Sequence, residues 1–269
     1  VAAGTTITLT QAEDAVHLCV GERIQFVSTT GLSPTLRTGS VQIMAIVRGP
    51  NTSTLTVTPT IAGIATDGDG IVRAGDYASG GTGAVITGLR QMVVGGTSPG
   101  TLYGLNRDVD PTRLAGLTFD AAGYSIDDAI VEASGMIAQQ GGSADQMLWI
   151  NTRDGANWRK SLMGRVTYPR VEVKSTVAGI GFKAIEVEGD NGVIKVMTSP
   201  FCPRNKGFLI NPKGFVLRSM GPAPQLLNWD SNSFLRVSSD DAYEIRFGFY
   251  GNHYTTLPQD NCYLSNLGA

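Results

Sequence analysis

The side chains that could carry chemistry in this chain are few, and none falls into a catalytic spacing. There are two histidines. His17 lies in Ala-Val-His-Leu-Cys, an apolar setting where a satisfied or partly buried ring is expected rather than a base or a ligand. His253, in Gly-Asn-His-Tyr, falls near a strand end and reads the same way. Neither a Gly-x-Ser-x-Gly elbow nor a His-Glu-x-x-His helix occurs. A hydrolase with a non-standard site would need paired carboxylates converging in a pocket. Its candidates are Asp127, Asp128 and Asp145, and the first two are better placed as helix-start residues.

Three glycine- or cysteine-based patterns also fall short. Gly179-Ile180-Gly181-Phe182-Lys183-Ala184 matches a loose dinucleotide pattern, which requires a helix N-terminus at the pyrophosphate. The next residues, Ile185-Glu186-Val187-Glu188, read as a strand, so the glycines are expected to serve a bend or close approach. Asp67-Gly68-Asp69-Gly70 opens like a calcium loop, but the twelfth position is Ala78 where a glutamate is needed, and an exposed turn is expected. Cys19, Cys202 and Cys262 are far apart, odd in number and without metal-ligand spacing, which predicts free thiols made in a reducing cytoplasm. Asn51-Thr52-Ser53 is a glycosylation sequon, relevant only to a secreted chain. No catalytic, cofactor-binding or metal-ligating residue is put forward, no cofactor is expected, and the chain is not expected to be an enzyme.

The elements that would have to position any site are β-rich. The chain has 269 residues, 16% charged and 42% hydrophobic, with a formal net charge of −2 and 34 glycines. A free nucleic-acid-binding domain would show a basic excess, and a disordered chain fewer apolar residues. The glycines suit short strands joined by tight turns. No apolar run of about 18 residues predicts a transmembrane helix. The opening Val1-Ala2-Ala3-Gly4-Thr5 lacks the features of a signal peptide. With no initiator Met, the chain is expected to be processed or part of a longer product.

Periodicity and punctuation place the elements. Strands are predicted at 6–9, 22–28, 41–48 and 55–58, with a helical turn over 11–18 and a hairpin at Gly49-Pro50-Asn51. Asp67–Gly70 and Ser79–Gly83 read as loops, and residues 89–124 as a second block of Gly and Pro punctuation. A helix from Ser125 to Gln139 carries one apolar stripe, Ile126, Ala129, Ile130, Ala133, Met136 and Ile137, with Ser125 as its cap. A short strand, Met147–Asn151, leads to a helix at 154–163, capped by Asp154, with Trp158 and Leu162 on one face and Gly164 as its stop. Strands are then predicted at 171–177, 184–188, 193–197, 207–210, 215–217, 234–237 and 243–250, with hairpin turns at Glu188–Gly192 and Asn211–Gly214. In the last strand Tyr243, Ile245, Phe247 and Phe249 share one face, opposite Glu244 and Arg246.

The order helix, strand, helix over 125–163, followed by turn-punctuated β structure, resembles the later part of an HK97-like major capsid protein of tailed bacteriophages. Three segments carry the resemblance: Gly95–Leu105, like the Gly-rich, Pro-containing segment after the family's spine helix; Met147–Asn151 with the helix after it, like the axial domain's strand, Asn and short helix; and Ser239–Phe247, like the returning peripheral-domain strand, with Pro258 near the C-terminus. The similarity covers residues 89–269. The resemblance implies an α+β chain of the HK97-like capsid fold, with peripheral and axial domains and a β-rich N-terminal region. Its divisions are 1–88, an insertion or elaborated peripheral domain; 89–230, axial-domain-like; and 231–269, returning peripheral strands. The family's N-terminal arm, extended loop and spine helix have no counterpart here and are expected upstream of Val1 or lost. The first lysine is Lys160, so cross-linking through an extended-loop lysine does not carry over.

The function so implied is mechanical: pentamers and hexamers closing an icosahedral shell around double-stranded DNA, assembled in the host cytoplasm and located in the virion capsid. The implied partners are many copies of itself, together with scaffold, portal or decoration proteins, and no membrane. Arg153, Arg159, Lys160, Arg165, Arg170 and Lys174 form a basic stretch, read as a solvated face or as a contact with neighbouring subunits or packaged nucleic acid. Two rivals stand beside this: a β-rich adhesin or tail module, which predicts no helix–strand–helix unit, and an encapsulin or gene-transfer-agent shell, which differs only in cargo.

Overall fold

The computed structural model describes residues 4–28, 35–77, 86–96, 98–143, 145–162, 185–190, 192–222, 224–228, 234–237 and 241–268. It is a mixed helix-and-sheet protein. Two six-stranded sheets organise it.

The first sheet uses the Thr- and Val-rich N-terminal strands. Its order is Thr6–Thr8, Thr54–Thr58, Val41–Val47, Arg23–Ser28, Thr35–Leu36, with Gly70–Arg73 also paired to Arg23–Ser28, and every pairing is antiparallel. The hairpin at Gly49-Pro50-Asn51 forms as expected; a Cβ on Gly49 would stand 2.5 Å from the Thr52 carbonyl, so the turn needs glycine. Ser53 of the sequon is structural, buried and donating to the Ala12 carbonyl at 2.6 Å. Alternate residues Ile24 and Phe26, Val41 and Ile43, Leu55 and Val57 bury one face, as the two-residue strand period requires. The expected helical turn is a 3₁₀ helix, Ala12–His17.

The second sheet has the order Ile185–Gly189, Gly192–Ser199, Met147–Asn151, Gly207–Ile210, Cys262–Ser265, Leu117–Asp120. Met147–Asn151 with Gly192–Ser199, and Cys262–Ser265 with Leu117–Asp120, are parallel pairs; the rest are antiparallel. Leu148, Ile150, Ile194, Val196, Leu209, Cys262 and Leu264 point to one face. There they meet the stripe Ile126, Ala129, Ile130, Ala133 and Ile137 of the helix Ile126–Gln139, and Trp158 and Leu162 of the helix Thr152–Leu162. Trp149, Phe208, Ile210 and Tyr263 point to the other face, under the short helix Leu89–Val93. The hairpin at Glu188–Gly192 forms as expected.

Three expectations are corrected. Asn211–Gly214 does not join two paired strands. Gly207–Ile210 pairs with Met147–Asn151 and Cys262–Ser265, whereas Phe215–Ser219 pairs with Gly251–Thr255. The Asn211 side chain accepts from the Lys213 amide at 3.1 Å and tightens the segment into a 3₁₀ turn that redirects the chain. Second, Tyr243–Tyr250 is not one continuous strand. It is split into Tyr243–Glu244 and Phe247–Gly248, each with its own partner, and Tyr243, Ile245 and Phe247 are exposed. Third, Asp154 does not cap its helix. The helix begins at Thr152, where Asn151 Oδ1 accepts from the Arg153 amide at 2.8 Å. The strand expected at 171–177, the loop at 79–83 and the stop at Gly164 lie outside the described residues.

Candidate assembly surface

Between Asn211 and Asn261 the chain leaves the second sheet and returns to it, forming a long two-stranded ribbon. Three ladders succeed one another: Phe215–Ser219 with Gly251–Thr255, Gln225–Leu226 with Phe247–Gly248, and Leu235–Arg236 with Tyr243–Glu244. Single backbone bonds extend them, from Met220 N to Tyr250 O (2.9 Å), Leu227 N to Arg246 O (2.8 Å) and Val237 N to Ala242 O (3.0 Å). The same two strands thus pair at three successive places among the described residues.

A buried polar clamp fixes its root. Asn211 Nδ2 donates to Asp260 Oδ2 at 3.0 Å, and the Asn211 amide donates to Asn261 Oδ1 at 3.0 Å. Asn261 Nδ2 in turn donates to the Leu257 carbonyl at 2.7 Å. All three side chains are buried. Buried amides with partners on both sides fix one geometry, so the two strands leave the sheet in a single direction. Phe215 packs into the lower core, and Tyr103 Oη donates to the His253 carbonyl at 2.8 Å beside the first ladder.

Beyond the root the ribbon has no core of its own among the described residues. Eight of the twenty-one exposed large hydrophobics among those residues lie on it: Leu217, Met220, Leu226, Phe234, Tyr243, Ile245, Phe247 and Tyr250. Met220 is 82% exposed, Tyr243 71% and Phe247 70%. Leu226 and Phe247 stand directly opposite each other, so their exposed side chains lie on one face. An isolated two-stranded ribbon is marginal in water, and clustered exposed apolar side chains mark contact surfaces for a protein, a membrane or a ligand. Glu244 and Arg246, two residues apart, pair at 2.9 Å, and the hydrogen bond from Arg246 holds the Glu244 carboxyl below its usual range.

The residues considered for chemistry are dispersed among structural tasks. Ser125 Oγ caps the Asp128 amide at 3.2 Å and donates back to the Asp128 carboxylate at 2.7 Å. Asp127 instead accepts from the Trp158 indole, tying the two long helices together, and Asp145 pairs with Lys213. These carboxylates do not converge. Asp69 closes its own loop, accepting from the Thr66 amide at 2.7 Å and from both ends of the Arg37 guanidinium, whose bond holds the carboxyl below its usual range. The His17 ring lies tilted against Phe201, centroids 5.5 Å apart, on the surface, more exposed than its apolar sequence context suggested. His253 is half-buried, and burial lowers its pKa. The thiols are free; Cys19 is exposed, whereas burial pushes Cys202 and Cys262 up to about 12. Gly179–Ala184 lies outside the described residues.

Two arginines that the sequence did not single out hold loops in place. Arg107 is buried and donates to the carbonyls of Gly100 (3.2 Å), Gln91 (3.0 Å) and Pro99, stitching the Gly-rich segment to the short helix at 89–93. Burial lowers its pKa. Arg204 bridges the two sheets, donating to Gln11 Oε1 at 3.0 Å and lying 3.3 Å from Glu13 and 3.7 Å from Asp154. Asp154 is buried there and accepts from the Asn205 amide at 2.7 Å; desolvation raises its pKa. Of the basic stretch, Arg153 donates to the Pro50 carbonyl at 3.1 Å and Arg159 to the Gly155 carbonyl at 3.1 Å, while Lys160 is exposed. Arg165, Arg170 and Lys174 lie outside the described residues. No helix is long and apolar enough to cross a membrane, and no metal-holding cluster of His, Cys, Asp and Glu occurs, both among the described residues.

Compared with known proteins, the chain matches no family model and no curated protein. Among solved structures it is similar to the capsid asymmetric unit of cyanophage A-1(L), at 13% identity and a TM-score of 0.47, over 72% of this chain. It spans 63% of the length of that capsid chain.

Proposed function

We propose that this chain is a shell subunit of a phage-type capsid, acting by packing against copies of itself. The observation that carries this is the ribbon. A polar clamp directs it away from the sheet, and it carries large apolar side chains that stay exposed, Met220, Phe234, Tyr243 and Phe247 foremost. A subunit whose work is mechanical needs such preformed, specific contacts rather than a pocket with converging acids and bases. The helix–strand–helix order of Ile126–Gln139, Met147–Asn151 and Thr152–Leu162 supports the same view, being the order on which the resemblance rests.

In this proposal the subunits form pentamers and hexamers of an HK97-like icosahedral shell around double-stranded DNA. Residues 1–88 are an insertion or elaborated peripheral region, 89–230 the axial-like part and 231–269 the returning part. Scaffold, portal or decoration proteins join during assembly, DNA is met by non-specific contact, and the location is the virion. The formal net charge of −2 suits this, because like charge repeated over many copies opposes closure.

Sedimentation velocity of the protein expressed from its complete reading frame tests the proposal. The expected result is a dominant fast boundary of large, uniform particles. A single monomer boundary at every concentration, with upstream residues and any scaffold present, would remove it.

A further inference from the structure

The first sheet has a concave site beside its buried core. Between the Ala12–His17 turn and the 61–71 segment opens a cleft of about 530 Å³. Phe26 and Ile61, each 2% exposed, reach its floor, and Ile71 and Ala65 line its wall. Exposed Asp14 and Asp67 stand at the rim with His17, while Asp69 beside them is held by Arg37. A concave apolar site of this size with a few polar groups at its edge accepts a large side chain together with part of its backbone.

The ribbon presents the counterpart. In its outermost ladder Tyr243 stands directly opposite Arg236, and both are exposed. An aromatic body with a cation at its side matches an apolar cleft with carboxylates at its lip, and tyrosine and arginine are the residue types that anchor protein contacts most strongly. The occupant this complementarity selects is a second copy of the chain.

We propose that Tyr243 of one copy inserts into the cleft of a neighbouring copy, with Arg236 facing Asp14 and Asp67 across the rim. Ribbon and cleft are different patches, so the contact is head-to-tail: it closes into a ring where the rotation between copies permits and extends into an open chain where it does not. The inference rests on the shell reading and gives it a specific contact.

The test is a cross-link combined with a charge swap. Tyr243→Cys is paired with Ala65→Cys in a Cys19→Ser background, and assembled protein is treated with an added thiol oxidant. A ladder of covalent oligomers on a non-reducing gel is expected, and none with either cysteine substitution alone. Tyr243→Ala and Arg236→Asp should each lower the yield of large particles by about tenfold or more, the loss typical of a central anchor. Asp67→Arg combined with Arg236→Asp should recover most of it. Unchanged thermal melting of each variant excludes misfolding, since these side chains are exposed. If wild-type particles form, no ladder appears and Tyr243→Ala assembles at full yield, the contact is wrong and the shell reading stands. If the wild type never assembles, both fall.

Discussion

At the scale of single residues, the tightest constraints are on positions that do no chemistry. Gly116 lies where the 89–93 helix, the 115–117 segment and Asn261 cross. A Cβ there would stand 2.0 Å from the Val93 carbonyl, and one on Gly95 would stand 1.9 Å from the Gly116 carbonyl. The obstacles are backbone atoms, which cannot swing aside. Gly116→Ala is therefore expected to destabilise the subunit by about 3 kcal/mol, as overpacking against a rigid wall does, read as a lower denaturant midpoint with unchanged slope. Arg107→Met should cost about 2–4 kcal/mol, because it leaves three carbonyls without their charged donor, and should raise hydrogen exchange over 95–100 first. For Asp69 the sign follows from its lowered pKa. Its contribution is present above the ordinary aspartate range near 4 and is lost as pH falls through the lower folded value. Exchange in the 66–70 loop should rise on acidification in the wild type, and Asp69→Asn should already show that looseness at neutral pH. The sequence identified Asp69 only as part of a turn; its partner Arg37 is thirty-two positions away, a distance no local pattern spans.

At the scale of elements, what the sequence made legible was what local periodicity encodes. The apolar stripe of 126–137, the Gly49-Pro50-Asn51 hairpin and the Trp158–Leu162 face are written in spacings of two, three and four residues. Two kinds of element escaped it. Cys262–Ser265 sits in the interior of the second sheet but is only four residues long, between a Pro-initiated 3₁₀ turn and the chain's end, with too little pattern to announce itself. The ribbon was misread because Tyr243, Ile245, Phe247 and Phe249 alternate like a strand with a buried face. Alternation reports that one face is apolar, and it is silent on whether this chain or another covers that face. The ribbon's root can be tested by itself. Asp260→Ala removes the acceptor of the buried Asn211 Nδ2, with an expected cost of about 1–3 kcal/mol. It should raise hydrogen exchange along 215–255 while the Met147–Asn151 strand stays protected. Equal loosening of both would mean that the clamp holds the sheet rather than the ribbon.

At the scale of the whole molecule, two sheets are joined through Arg204 and the Arg153–Pro50 contact, and one unsupported ribbon projects from the second. A β-rich adhesin or tail module predicts no helix–strand–helix unit, yet Ile126–Gln139, Met147–Asn151 and Thr152–Leu162 form one around a shared core. The carboxylates that a hydrolase would require are spent on a cap, an indole and a lysine. If the ribbon is the means of association, replacing residues 221–249 by a two-residue turn between Met220 and Tyr250 should leave a folded monomer with its melting cooperativity intact and no large species. The most direct measurement is negative-stain electron microscopy of the protein expressed from its complete reading frame, with and without that replacement. Closed, uniform, roughly icosahedral particles for the intact protein and none for the ribbon-less variant are the predicted result. Dispersed monomers from the intact protein, or equally good particles without the ribbon, would contradict it.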